Sequence, residues 1–213
     1  MAFRTATEKL DDLTTLKVKP PDYPRPEPDY FWIPRWSQRR DAVEYISIAR
    51  QALEGIDLSY HSKFCIFNCS DGPSSFGLVS QIVEFSLKPL ILLSDVSDYA
   101  VAACQEYIGN RIPVDLLAIP SDTENLVAAL EKIGQSIDVF ISFEPIGDLV
   151  PAFKDMFDYL PESGMIVVCS RGYPGVQPIL KTGKRLGIEP FIYNPGIETF
   201  KGPLIAAVLA KKS

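Results

Sequence analysis

One histidine, four cysteines and no long apolar run limit what this chain of 213 residues can do. With His61 as its one imidazole, it can build neither a zinc site from several histidines nor the two-histidine iron triad. Cys65, Cys69, Cys104 and Cys169 contain no C-x-x-C pair and are too sparse for a disulfide framework, so they read as buried thiols of a reducing compartment, and no metal is expected. No segment reaches the roughly 20 apolar residues of a membrane-spanning helix. The opening MAFRTATEKLDDL lacks an apolar stretch and carries Glu8, Asp11 and Asp12, unlike a secretory or transit peptide. A soluble, cytoplasmic protein without a membrane contact is the expectation. A basic surplus is lacking too: the net charge is −6 and Lys and Arg are scattered. Nucleic acid is therefore disfavoured as a partner, because binding it releases counterions from phosphates through clustered cations.

Proline, by contrast, is plentiful, with 18 residues, and much of it falls early. The stretch KPPDYPRPEPDYFWIPRWSQRR (19–40) loses backbone donors at every proline and biases the preceding residues away from helix. Residues 1–40 are read as an extended arm and 41–213 as the folded domain. Tyr30, Phe31, Trp32 and Trp36 make the arm too apolar for a free linker. It is expected to pack on its own domain, to cover a ligand, or to dock a protein partner or a second copy in a homodimer.

The remainder alternates between two periodicities. DAVEYISIARQALEG has helical spacing, with Asp41 as its N-cap and Gly55 as its stop. KFCIFNCS (63–70), PLILLSD (89–95), VDLLAIP (114–120), IDVFISFEP (137–145) and MIVVCSR (165–171) are apolar without polar alternation, as strands buried on both faces of a parallel sheet are. Helical stretches separate them. The spacing predicts a three-layer α/β/α sandwich, a Rossmann-like and mostly parallel sheet of about seven strands with right-handed crossovers. After a helix at 177–187, IEPFIYN (188–194) and PLIAAVLAKK (203–212) are joined by too short a connection for a parallel pair, so the sheet ends in an antiparallel hairpin.

Over 63–213 this order of elements resembles the class I S-adenosylmethionine-dependent methyltransferases, whose parallel sheet also finishes in an antiparallel hairpin. FNCSDGPSSFG occupies the place of that family's acidic residue and Gly-x-Gly-x-Gly loop: aligned on Gly72, Asn68 takes the acidic position, Ser70 the first glycine and Ser74 the third. The glycines let the backbone approach the cofactor, so two serines narrow the pocket or change the turn. Asn68 loses the ionic contact to the cofactor's ammonium. Asp95, ending ILLSD, matches the carboxylate that accepts from both ribose hydroxyls, a chemistry that two acceptor oxygens suit. NAD-binding folds keep an acidic residue at the same place, and Asp95 or Asp98 is also a candidate N-cap of the next helix. Asp122 matches an adenine-contacting position, although Ser121-Asp122-Thr123-Glu124 is good capping sequence. After the fourth strand Phe143, Glu144, Pro145 and Ile146 stand where amino-group methyltransferases carry Asn-Pro-Pro-Tyr; Glu144 could act as a base if burial raised its pKa, and a solvated strand end is the alternative.

The resemblance implies binding of S-adenosylmethionine and methyl transfer to a small molecule or a protein side chain, a reaction carried by positioning that needs few titratable groups. The degraded glycine loop favours a catalytically inactive, partner-binding scaffold instead. DVFISFEPIGDLVPAFKDMFDYLPESGMIVV also resembles the nucleotide-binding domain of a medium-chain reductase, which would make the chain a piece of a larger synthase. His61 precedes the first strand, away from the edge where open α/β sheets bind ligands, so a Ser-His-Asp hydrolase is not expected.

Overall fold

A computed structural model describes residues 39–69, 72–145, 149–199 and 201–211, so all but the last two residues of the expected arm lie outside it. Six helices appear among these residues: α1 (Arg39–Gln51), α2 (Pro73–Phe85), α3 (Asp98–Gly109), α4 (Leu126–Lys132), α5 (Val150–Tyr159) and α6 (Gln177–Leu186). The strands are β1 (Lys63–Phe67), β2 (Leu90–Asp95), β3 (Asp115–Pro120), β4 (Val139–Phe143), β5 (Met165–Arg171), β6 (Phe191–Tyr193), β7 (Glu198–Thr199) and β8 (Gly202–Ala210).

The sheet order is β3-β2-β1-β4-β5-β8-β6, with β7 paired to β8 off this path. β1 to β5 are mutually parallel, whereas β8 runs antiparallel to both β5 and β6. The α/β sandwich and its antiparallel end are thus as expected, with eight strands rather than seven because the return into β8 forms the two-residue β7. Alternation sorts the core. Phe64, Ile66, Ile91, Leu93, Val139, Ile141 and Val167 pack with residues of α1, α2 and α3, while Cys65, Phe67, Leu92, Phe140, Ile166 and Val168 pack with residues of α4, α5 and α6. Each such fully buried side chain contributes about 1.5–3 kcal/mol over an exposed one, which is why the central strands carry no polar alternation. β3 lies at an edge and alternates, with Leu117 exposed.

Two expectations at α1 fail. The helix begins at Arg39, so Asp41 lies inside it and is not its N-cap, and it ends at Gln51, before Gly55. Gly55 is there for packing: a Cβ on it would come within 2.1 Å of the Tyr193 ring on β6.

β1 and β4 are neighbours whose connections leave to opposite faces, so the crevice expected of an open α/β sheet lies at their carboxyl ends. Both strands stop at a residue with left-handed φ, Asn68 at 51° and Glu144 at 53°. Such a backbone is uncommon outside glycine and turns the chain out of the strand, so β1 and β4 end at Phe67 and Phe143, before the ends of the expected stretches 63–70 and 137–145.

Candidate functional site

The carboxyl ends of β1, β2, β4 and β5 gather most of the residues singled out from the sequence. Asn68 leaves β1 half-buried and accepts a hydrogen bond through Oδ1 from the Thr123 hydroxyl at 2.7 Å. Thr123 follows β3, so this bond links the loops after β1 and β3 past the end of β2, which lies between those strands. Ser70 lies outside the described residues. Gly72 is the N-cap of α2, with φ of 120° and a would-be Cβ only 3.0 Å from Cβ of Tyr107, so neither the backbone nor the space accepts a side chain. Ser74, half-buried, is the second residue of α2 and not part of the turn itself. The first helical turn asks for no glycine, so a serine there leaves the backbone unchanged.

Asp95 ends β2 with 5% exposure. Its Oδ1 accepts from the Ser97 backbone N–H at 3.2 Å, and its carbonyl accepts from the N–H of Ser121 at 2.9 Å. The cap of α3 is neither Asp95 nor Asp98 but Ser97, whose hydroxyl accepts from the Ala100 N–H at 3.2 Å. Asp95 is therefore a buried carboxylate with no capping duty. Asp122 does not cap a helix, since α4 starts at Leu126 with Asn125 as its N-cap and no side-chain cap bond; it closes the exposed turn before it, with Oδ1 accepting from the Asn125 N–H at 2.7 Å and Oδ2 from the Asn125 side-chain amide at 3.0 Å.

Glu144 departs most from expectation. Arg171, the last residue of β5, donates through Nε to Oε1 at 2.7 Å and through Nη2 to Oε2 at 2.6 Å, a two-pronged pairing of guanidinium and carboxylate. Lys201, in the turn from β7 to β8, places Nζ 3.6 Å from Oε2. Burial pushes the Glu144 carboxyl up, but hydrogen bonds from Arg171 and the charges of Arg171 and Lys201 outweigh it and hold the group below the ordinary glutamate value. The condition for a general base, a pKa raised toward neutrality, is not met.

Arg171, Lys201 and Thr123 were not picked out by the sequence reading. Arg171 did leave a signal, since a doubly buried apolar run that ends in Arg must find that charge a partner. Thr123 and Lys201 left none, because their roles depend on which loops the sheet order brings together.

Elsewhere, His61 lies before β1, at the opposite end of the strand from this cluster, with burial pushing its pKa down against the charges of Asp138 and Asp57. All four cysteines are buried free thiols. No helix among the described residues is long and apolar enough to cross a membrane.

No protein-family model and no curated protein sequence matches the chain. Solved structures do. An rRNA methylase from Streptococcus thermophilus aligns over 80% of this chain and 95% of its own, at 15% identity and a TM-score of 0.53. The fibrillarin pre-rRNA processing protein of Methanococcus jannaschii aligns over 76% and 74%, at 10% identity and a TM-score of 0.55. Precorrin-6y C5,15-methyltransferase from Geobacter metallireducens aligns over 80% and 88%, at 10% identity and a TM-score of 0.53. At these identities the likeness is one of fold: this chain has the Rossmann-like fold of the class I methyltransferases. Two of the three neighbours are named for ribosomal RNA, so the fold gives no ground for disfavouring nucleic acid, and that expectation rests on charge alone.

Proposed function

We propose that the chain binds S-adenosylmethionine at the carboxyl ends of β1, β2 and β4 and transfers its methyl group to a small molecule or a protein side chain. The observation that carries this reading is Asp95, a carboxylate 5% exposed at the end of β2 while Ser97 does the capping. A carboxylate oxygen can accept more than one hydrogen bond, so the hydroxyls of a ribose suit Asp95 alongside the Ser97 N–H that Oδ1 already accepts. Gly72 supports the fit, since a backbone without Cβ lets the loop turn closely. Asn68, Ser70 and Ser74 complete the loop with neutral side chains, so the cofactor's ammonium would meet an amide rather than a carboxylate there. Asp122 would reach adenine only with lone pairs that Asn125 does not use.

Bound S-adenosylmethionine supplies an electrophilic methyl on a sulfonium. The chain's part is then orientation. Asp95 fixes the ribose, the turn at Gly72 sets how closely the loop approaches, and holding donor and acceptor in line replaces acid–base chemistry as the main contribution. Glu144 in this reading positions its neighbours: the low pKa makes it a poor base, while its carboxylate fixes Arg171 and Lys201 on the acceptor side.

One observation favours the cofactor-free scaffold instead. The Asn68–Thr123 hydrogen bond joins two loops that a ribose and adenine would have to enter between. The reductase reading has less behind it, because β8 runs antiparallel between β5 and β6, unlike a plain dinucleotide-binding sheet.

Calorimetric titration with S-adenosylmethionine, S-adenosylhomocysteine and NADPH separates the three. Binding of the first two, lost in Asp95→Ala, is the expected result. Binding of NADPH alone supports the reductase, and no binding by any of the three supports the scaffold.

A further inference from the structure

The sheet has two edges, β3 and β6, and they differ in how they are protected. β6 is blunted: it is three residues long and stands between Pro190 and Pro195, which offer no N–H to a further strand. β3 carries no such device. It runs for six residues in unbroken parallel register with β2, from Asp115 opposite Leu90 to Pro120 opposite Asp95, without a bulge. Its one charge and its one proline stand at its two ends, so 116–119 reads Leu-Leu-Ala-Ile. Among the described residues, none of these four is hydrogen-bonded except to β2, which leaves the outward N–H and C=O groups of the strand open to another chain. Leu117, 36% exposed, adds an uncovered apolar side chain at the middle of this edge.

We propose that β3 pairs with β3 of a second copy of this chain, antiparallel about a two-fold axis at Leu117, so that one sheet runs through both subunits. Symmetry and sequence together fix the register. A two-fold axis perpendicular to a sheet sets one residue opposite its own counterpart, because side chains directly opposite each other must point to the same face. Centred on Leu117, the pairing sets Leu116 against Ala118 and Asp115 against Ile119 of the second copy, and it uses all five non-proline residues of β3. Centred on Ala118 it would draw Pro120 into the ladder, and centred on Leu116 it would draw in Pro113. The Leu117 register also keeps the two Asp115 carboxylates apart and covers the one apolar side chain that the single chain leaves open in the middle of the strand. Antiparallel pairing turns the carboxyl ends of the two parallel sheets in opposite directions, so both crevices stay accessible. The pairing does not depend on the methyl-transfer reading.

The test follows the full chain by sedimentation velocity from low micromolar to near-millimolar concentration, where a reversible monomer–dimer equilibrium is expected. Leu117→Lys sets two like charges opposite each other at the axis and lowers the association constant at least about tenfold, while Leu117→Ile keeps it within about threefold. Cross-linking tests the register. Leu117→Cys brings two thiols face to face at the Cα spacing of about 4.5–5.5 Å of an antiparallel pair, within reach of a disulfide. The four native thiols are buried and do not compete. Treated with glutathione disulfide, this variant is expected to give a covalent dimer, whereas Ile192→Cys, equally exposed at 36% but on the blunted edge, gives none. The cysteine variants carry the test if Leu117→Lys impairs folding. A chain that stays monomeric over the whole range, a dimer unaffected by Leu117→Lys, or cross-linking of Ile192→Cys as readily as of Leu117→Cys each overturns the proposal.

Discussion

The carbonyl oxygen of Ile46 on α1 stands 2.4 Å from where a Cβ on Gly77 of α2 would lie, so the two helices meet at their backbones. Ala49 adds its own Cβ at 3.0 Å from the same point. Glycine in the middle of a helix is otherwise a defect of about 1 kcal/mol against alanine.

These two effects have opposite signs, which makes Gly77→Ala a sharp measurement. Helix propensity alone would raise stability. A methyl group forced against a backbone carbonyl must separate α1 from α2, and overpacking of this kind costs about 1–3 kcal/mol. We expect the contact to win and the melting temperature to fall by several degrees, at about 2–4 °C per kcal/mol for a chain of this size. A melting temperature that rises would mean the helices are farther apart than described.

Glu144 and Arg171 predict a pH dependence with a definite direction. The folded-state carboxyl is held below its ordinary value, so its contribution is full above the unfolded pKa and is lost as pH falls through the folded one. Glu144→Gln leaves the buried Arg171 without its ionic partner, a loss of about 3 kcal/mol at neutral pH. Comparing denaturant midpoints of the parent and Glu144→Gln from pH 7 down to pH 3, the gap is expected to be widest at pH 7 and to narrow below about pH 4.5. A gap that stays constant across this range would show that the pair contributes packing rather than charge.

The sheet was legible in the sequence because burial on both faces removes polar residues from β1, β2, β4 and β5, and that pattern survives without neighbours. Where strands stop was less legible. The stretches 63–70 and 137–145 read as strands through polar Asn68 and charged Glu144, although the apolar runs stop at Phe67 and Phe143, where left-handed φ at Asn68 and Glu144 turns the chain away. Asp95 was found from its position at a strand end, yet its capping alternative fell only when Ser97 was seen bonded to Ala100. Glu144, Arg171 and Lys201 come from three separate segments, each pair 27 or more residues apart, and only the order β4-β5-β8 brings them into contact. The low pKa of Glu144 could not be read from SFEP, since its cause lies on β5 and in the turn before β8.

Asp95 and Ser97 are two residues apart and their substitutions should separate cleanly. Ser97→Ala removes the α3 cap, costing about 1 kcal/mol of stability and leaving binding of S-adenosylhomocysteine near the parental value. Asp95→Ala should do the reverse, abolishing detectable calorimetric heat while shifting the melting temperature less than loss of a cofactor contact shifts affinity. Equal loss of affinity in both variants would indicate that Asp95 acts by shaping the turn rather than by touching the ribose.

The cysteines give a prediction that needs no ligand. Burial pushes the thiols of Cys65 and Cys169 far above the ordinary range, and burial pushes that of Cys69 up as well, reinforced by its hydrogen bond with Cys104 and the nearby charge of Asp95. The thiolate is the reactive form, so a thiol that is both enclosed and hard to ionise reacts only when the chain opens. With an aromatic disulfide reagent at pH 8, native protein should release colour slowly, whereas four equivalents should appear at once in denaturant, matching the four free thiols. Opening-limited reaction also fixes the kinetics. The native rate should be independent of reagent concentration once the reagent is in excess, and should rise in Gly77→Ala, where the packing of α1 on α2 is weakened. A fast equivalent in the folded protein would place one of the four at the surface and contradict the layered packing around β1 and β5.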